Sequence, residues 1–540
     1  MRVAIEAGRS LVKTHFSSFL AKQPRMRVLG QPTYGTLMPT FQHDSEGTGT
    51  DLAARLPQIL PTHLTHFWAG QWQDAQSTEL IEAINPSTGR LLASLPVAQT
   101  AEIDAAVQAA ASAFPTWRAT PPLERARMLR RAATLIREHA ADLALIDAAG
   151  CGNPVKAMLF DAEIAATQLE YFAGLVLEIK GETLPTGNGS LNYTQREPLG
   201  VVARIFPFNH PFMFAAGKIA APLAAGNTVV IKPPEQAPLS TLRLIELLAD
   251  VFPPGVLNCV LGGRDTGAGL VAHPGVAAIG LIGSVPAGRA VLAAAAHDMK
   301  HTLLELGGKN AMIIFPDADF DRAVAGAVRG MNFTWCGQSC GSTSRLFVHE
   351  SLHDRFVQAL VERVNTEHRP GIATDPATTM GALASKAQYQ RTLDYVAVAL
   401  EDGATLECGG KHPEGSALQR GYFIEPTIFT GVQPDMRIAQ EEVFGPVLSV
   451  FKWSEEEPLI RAVNGVDFGL TASIWTRDLV TAHSTASRVQ AGYIWINDCS
   501  SHFIGAPFGG YKLSGKGREE SRDELFEFTQ IKNINVSMVR

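Results

Sequence analysis

A basic excess is missing from this chain of 540 residues: Lys and Arg total 46 against 53 Asp and Glu, for a net charge of -7. Nucleic-acid partners call for a strong basic surplus, so they are excluded. Long apolar runs are missing too. Phe212 to Ala225, among the longest helix-like apolar stretches, is broken by Gly217, Lys218 and Pro222, where a bilayer span needs about 18–20 uninterrupted residues. Such stretches read as buried helices, and no membrane partner is expected. Cysteine is scarce, with Cys151, Cys259, Cys336, Cys340, Cys408 and Cys499 scattered along the chain. That is no secreted disulfide framework. Cys336 and Cys340 have no second Cys or His pair at zinc-like spacing, so no metal is expected. No apolar stretch followed by a small-residue cleavage site marks a secretory signal, and no short repeat or low-complexity tract occurs.

What is present is core-forming material. Apolar residues make up 46% and charged residues 18%, the balance of a globular protein. Cores rarely grow past about 250–300 residues before a chain divides, so more than one domain is expected. The first 43 residues stand apart, with Arg2, Arg9, Lys13, Lys22, Arg25 and Arg27 against one acid, Glu6. A mitochondrial transit peptide has this composition. An unstructured tail, or a start assigned too early ahead of Met26 or Met38, accounts for it equally. We expect a cytoplasmic protein, with the mitochondrion as the alternative.

From about His66 to Leu95, short apolar runs and turn signals (Asn85-Pro86-Ser87-Thr88-Gly89) predict two short strands. Helical periodicity follows over Ala101–Trp117 and Leu123–Ala149. Beyond Pro198 the pattern alternates. Strands are predicted at Val201–Ile205, Thr228–Ile231, Leu257–Leu261 and Ala278–Ile282. Helices are predicted from Pro211 and over Leu239–Val251, Thr266–Ala272 and Ala287–His297. A second alternation runs from Ala311 to about Thr476. Short β-branched runs between helices imply parallel sheets covered on both faces, hence two α/β domains with a crevice between them.

Two short motifs pair a carboxylate with a thiol: Glu305-Leu306-Gly307-Gly308-Lys309-Asn310 and Gly337-Gln338-Ser339-Cys340. A glycine-flanked cysteine can expose its sulfur, and a glutamate beside apolar residues can serve as a base. Together they permit covalent catalysis. Either alone reads as readily as a buried thiol or a surface acid.

They do not stand alone. From about Phe67 to the end the chain resembles the aldehyde dehydrogenase superfamily, through landmarks in that family's order. These are Phe206-Pro207-Phe208-Asn209-His210-Pro211, Lys232-Pro233-Pro234-Glu235, Gly283-Ser284 with Gly288, the two motifs above, Glu441–Pro446, and Pro507–Lys512 leading into Ser514–Glu519. The resemblance implies a doubly wound NAD-binding domain (63–181 and 199–307) and an α/β catalytic domain (308–513). It also implies a small β oligomerisation arm (182–198 and 525–540), after an N-terminal extension (1–62) in which disorder is expected. A homodimer or homotetramer follows from the arm.

The resemblance also implies roles. Cys340 is the expected nucleophile, Asn209 the oxyanion donor and Glu305 the base for thioester hydrolysis. Lys218 and Glu519 match a proposed proton exit, with a structural role as the alternative. Phe208, Lys232, Glu235, Gly283, Ser284, Glu442 and Phe444 are the expected cofactor residues. Gly283-Ser284 is not a GxGxxG fingerprint, but it precedes a predicted helix whose free N–H groups suit a pyrophosphate. Glu235 matches a ribose-binding carboxylate that would repel a 2′-phosphate, which favours NAD, with NADP the alternative.

By matching position the substrate channel takes in His210, Phe214, Thr334, Trp335, Ser339, Gly341 and His502, and Gly217 leaves one wall open. No Arg or Lys falls there to hold a distal carboxylate. The expected substrate is therefore an uncharged aromatic or aliphatic aldehyde, with a semialdehyde or a catalytically silent binding protein as alternatives. Glu305 argues against a CoA-acylating relative. The chain departs from the family in Phe208, where tryptophan is usual, in His210, and in the extra thiol Cys336, expected to be a buried cysteine or a disulfide partner for Cys340.

Overall fold

A computed structural model describes residues 52–187 and 189–538. Five parallel strands form the centre of the first sheet. In space they run Leu257–Cys259, Thr228–Lys232, Val201–Ile205, Val276–Ile282, His301–Glu305. Counted along the chain, that order is 3-2-1-4-5, a doubly wound arrangement. Its strand order reverses between Val201–Ile205 and Val276–Ile282, and open α/β sheets bind ligands beyond the carboxyl ends of strands at such a reversal. Helices cover both faces, so these strands are apolar almost throughout; Thr228–Lys232 is buried at every position. The antiparallel strand Gly515–Lys516 closes the far edge against Leu304 and Glu305, which brings the C-terminal landmark beside the candidate base.

The second sheet has seven strands: Thr405–Cys408, Thr427–Thr430, Val447–Trp453, Arg345–His349, Ala311–Ile314, Thr471–Trp475 and Tyr493–Ile496. All neighbours are parallel except the first pair. Alternate residues feed two cores: Met312, Ile314, Leu346 and Val348 face one, Ala311, Ile313 and Phe347 the other. A third sheet joins Ser190–Pro198 to Thr529–Ser537 by a nine-pair antiparallel ladder, with Thr183–Leu184 on the outer side.

Three features differ from the sequence reading. The segment from His66 to Leu95 holds two hairpins, Phe67–Trp68 with Gln71–Trp72 and Leu80–Asn85 with Arg90–Pro96. The helix predicted over Leu123–Ala149 is two, Pro122–Glu138 and Ala140–Cys151, separated at His139 (φ -112°, ψ 15°). The end of the 1–62 extension is also ordered. Leu52–Ile59 is helical, and the Thr62 amide and hydroxyl both donate to Glu246 Oε1 at 2.7 Å. The readings of the basic opening and of Met26 and Met38 lie outside the described residues. Among the described residues no helix is long and apolar enough to cross a membrane.

Candidate active site

At the reversal of the first sheet lies a cleft of about 510 Å³, lined among others by Phe208, Asn209, Gly283, Ser284, Glu305, Cys340, Glu442 and Phe444. The fold thus gathers eight of the twelve sequence-selected residues around one space.

Glu305 ends the strand His301–Glu305, and its backbone is fixed from both sides. Gly283 N–H donates to Glu305 O at 3.0 Å, and Leu306 N–H to Ser514 O at 3.0 Å. The residues that follow seat the cysteine loop. A β-carbon on Gly308 would lie 2.5 Å from Cys340 O, so only glycine lets that loop approach. Asn310 Nδ2 donates to Cys340 O at 2.6 Å and to Ser342 O at 2.9 Å. Gly308 N–H donates to Glu442 Oε1 at 2.8 Å. The loop itself turns through left-handed residues, Asn332, Cys336 and Gly337 (φ 56°, 53° and 65°), which directs Cys340 at Glu305. The motif Glu305–Asn310 is therefore both the acid and the cradle of the thiol.

The side chains of Cys340 and Glu305 hydrogen-bond to each other. Burial raises the Glu305 carboxyl to about 8, with Glu519 and Glu442 adding to the rise against the Cys340 hydrogen bond and Lys218. Burial and then the Glu305 charge hold the Cys340 thiol well above its usual range. The resting pair is a thiol facing an acid that ionises within one step of neutrality. Glu305 Oε1 has no protein partner, nor has Asn209 Oδ1. Asn209 is held through its backbone, whose carbonyl accepts from Asn153 Nδ2 at 2.7 Å, so its amide is left for a ligand.

Lys218 and Glu519 do not line the cleft. They sit behind it in a buried ionic chain: Lys218 Nζ reaches Glu519 Oε2 at 3.0 Å and Glu520 Oε1 at 3.4 Å, and Arg204 Nη2 reaches Glu519 Oε1 at 3.3 Å. Glu520 Oε2 continues to His502 Nδ1 at 3.2 Å. Burial opposes the charge on Glu520, yet Lys218 and His502 bring its carboxyl down to about 2. The sequence reading passed over Glu520, although its place beside Glu519 was a visible signal.

The cofactor residues divide into two groups. Ser284 caps the helix Val285–His297, its hydroxyl accepting from Ala287 N–H at 3.4 Å. Phe208 and Phe444 meet edge to face at 5.9 Å. Burial raises the Glu442 carboxyl to about 7 against the Gly308 N–H. These residues share the cleft. Lys232 and Glu235 lie at the carboxyl end of Thr228–Lys232, outside the cleft lining. Burial lowers the Lys232 ammonium to about 8, and Glu235 packs against Gly263.

Of the channel residues, His210 rests edge-on to Phe214 (5.7 Å) and Trp335 (5.3 Å), with Nδ1 on Asp161 Oδ2 at 2.8 Å. The space beside Gly217 is not open. A β-carbon there would fall 1.9 Å from Gln168 Oε1, because the preceding helix Val155–Leu175 fills it. Cys336 is buried in the second core and directs Sγ at Gly381 O, 3.1 Å away; all six cysteines are free.

The profile of the Aldehyde dehydrogenase family matches residues 72–534. The aldehyde dehydrogenase tropH of Talaromyces stipitatus is 51% identical over 489 residues, 89% of this chain and 95% of that protein. A betaine aldehyde dehydrogenase of Mesorhizobium japonicum is 44% identical, over 87% of this chain and 97% of the other. An aldehyde dehydrogenase from Bacillus cereus, solved as its NAD+ complex, superposes with a TM-score of 0.86 at 38% identity, covering 91% of this chain and 99% of its own.

Proposed function

The chain belongs to the aldehyde dehydrogenase family, and from that premise we propose that it oxidises an uncharged aromatic or aliphatic aldehyde to the carboxylic acid with NAD, through a thioester on Cys340. One observation carries this reading: Cys340 and Glu305 hydrogen-bond in the cleft to which Asn209 brings an amide engaged by no described residue.

The residues fit the cofactor. The cleft lies at the strand reversal, a capped helix N-terminus borders it at Ser284, and no side chain occupies Gly283. Ser284 and Gly283 would hold the pyrophosphate, Glu442 the nicotinamide ribose, Phe208 and Phe444 the ring, and Lys232 and Glu235 the adenosine end. When bound, NAD supplies the hydride acceptor, as the NAD+ complex of the B. cereus relative supports.

The chain's own residues do the rest. Ionised Glu305 takes the Cys340 proton, and the thiolate attacks the aldehyde carbon. The new oxyanion is met by the Asn209 amide and the Cys340 backbone N–H, donors worth about 3–4 kcal/mol each in comparable sites. After loss of hydride the thioester remains. Glu305, relieved of its proton, deprotonates the water that cleaves it, and Cys340 is restored. Lys218 and Glu519 lie behind Glu305 and are suited to carry that proton outward. A panel of aldehydes with NAD and NADP, followed by absorbance of reduced cofactor, tests the reading; no reduction with any aldehyde overturns it.

A further inference from the structure

Most side chains near the channel positions are satisfied or apolar, and two polar groups are neither. Asp161 and Gln168 stand seven residues apart on the helix Val155–Leu175, two turns and about 10 Å along one face. Asp161 fixes His210 by Nδ1. A carboxylate only accepts, so Nδ1 carries the proton. His210 Nε2 then has no partner among the described residues. Gln168 is 3% exposed, and its Oε1 is buried without a hydrogen bond in the space a side chain at Gly217 would take. Trp335, against the His210 ring, also buries an unpartnered Nε1–H. Orphaned buried polar atoms are costly, and a ligand that completes them recovers the loss.

Resting on the dehydrogenase reading above, we propose that the substrate is a hydroxyl-bearing aldehyde, and that His210 and Gln168 are the specificity-determining residues that engage its oxygen substituents. Gln168 Oε1 can only accept, so it needs a donor. His210 Nε2 accepts when the ring is neutral and donates when it is charged. A hydroxyl serves both; an ether or a bare hydrocarbon edge does not. The Asp161–His210 pair is neutral overall when the ring is charged, so it does not replace the missing cation that a distal carboxylate would want.

The test is kcat/KM with NAD for benzaldehyde, 4-methoxybenzaldehyde, and 3- and 4-hydroxybenzaldehyde. The wild type should favour the better hydroxybenzaldehyde over the methoxy compound about tenfold or more. His210→Phe and Gln168→Leu should each lower that ratio, through KM more than kcat. Gln168→Leu is close in volume and keeps the test decisive should His210→Phe fail to fold. Equal kcat/KM for all four aldehydes, or a ratio unchanged in both variants, overturns the hydroxyl proposal and leaves the dehydrogenase reading intact. No reduced cofactor from any of the four overturns both.

Discussion

Glu305 has to be charged to accept a proton, and burial sets its carboxyl at about 8. The raised value means that the protonated form prevails at neutral pH, so the fraction able to act grows as pH rises. We expect kcat/KM to climb through a single limb near pH 8 and level above it. The limb belongs to the coupled Cys340–Glu305 pair rather than to either group. A flat profile between pH 6.5 and 9 would contradict this. Cys340→Ala should abolish turnover while NAD binding, followed by calorimetry, persists, because the thiol supplies chemistry and not cofactor affinity. At the adenosine end, kcat/KM for NAD should exceed that for NADP, since Glu235 would face a 2′-phosphate. A clear NADP preference would remove that role from Glu235.

At the scale of elements, Asn227 ties the third sheet to the first. Its Oδ1 accepts from the backbone of Leu199 (2.7 Å) and Gly200 (3.0 Å), and its Nδ2 donates to Pro222 O (3.1 Å) and Phe528 O (2.9 Å), all fully buried. Asn227→Leu strands all four groups and should cost at least about 2 kcal/mol, read from the urea midpoint. An unchanged midpoint would show that the arm is held elsewhere. The elements also show what the sequence could and could not reveal. The strands between Val201 and Glu305 were legible because burial on both faces writes them as β-branched runs. The break at His139 was not, because residues on both sides favour helix and only the local dihedrals mark it. Helix Val155–Leu175 went unread because it is buried around much of its circumference, which removes the polar contrast that betrays a helix. Cys340, Glu305 and Asn209 were legible as motifs, whereas the filling of the Gly217 space by Gln168 depends on a contact 49 positions away in the chain, which no local pattern encodes.

For the whole molecule, the strand Thr529–Ser537 is an open edge of its sheet, and Leu184, Leu191, Ile531 and Val536 are exposed on the same sheet. A long edge with exposed apolar residues invites pairing. We expect a homodimer or homotetramer by light scattering at micromolar concentration, and a smaller species once residues 529–540 are deleted; a full-length monomer would contradict the arm's role. The covalent account is tested most directly on the intact chain. Glu305→Gln is mixed with NAD and aldehyde, quenched in acid, and weighed by mass spectrometry while reduced cofactor is followed in parallel. Because Glu305 also receives the thiol proton, the first turnover should be slow, but one acyl group should build up on Cys340 for each NADH formed, with little further turnover. Wild-type steady-state activity in this variant, or NADH formed without an acyl group on Cys340, would contradict the account.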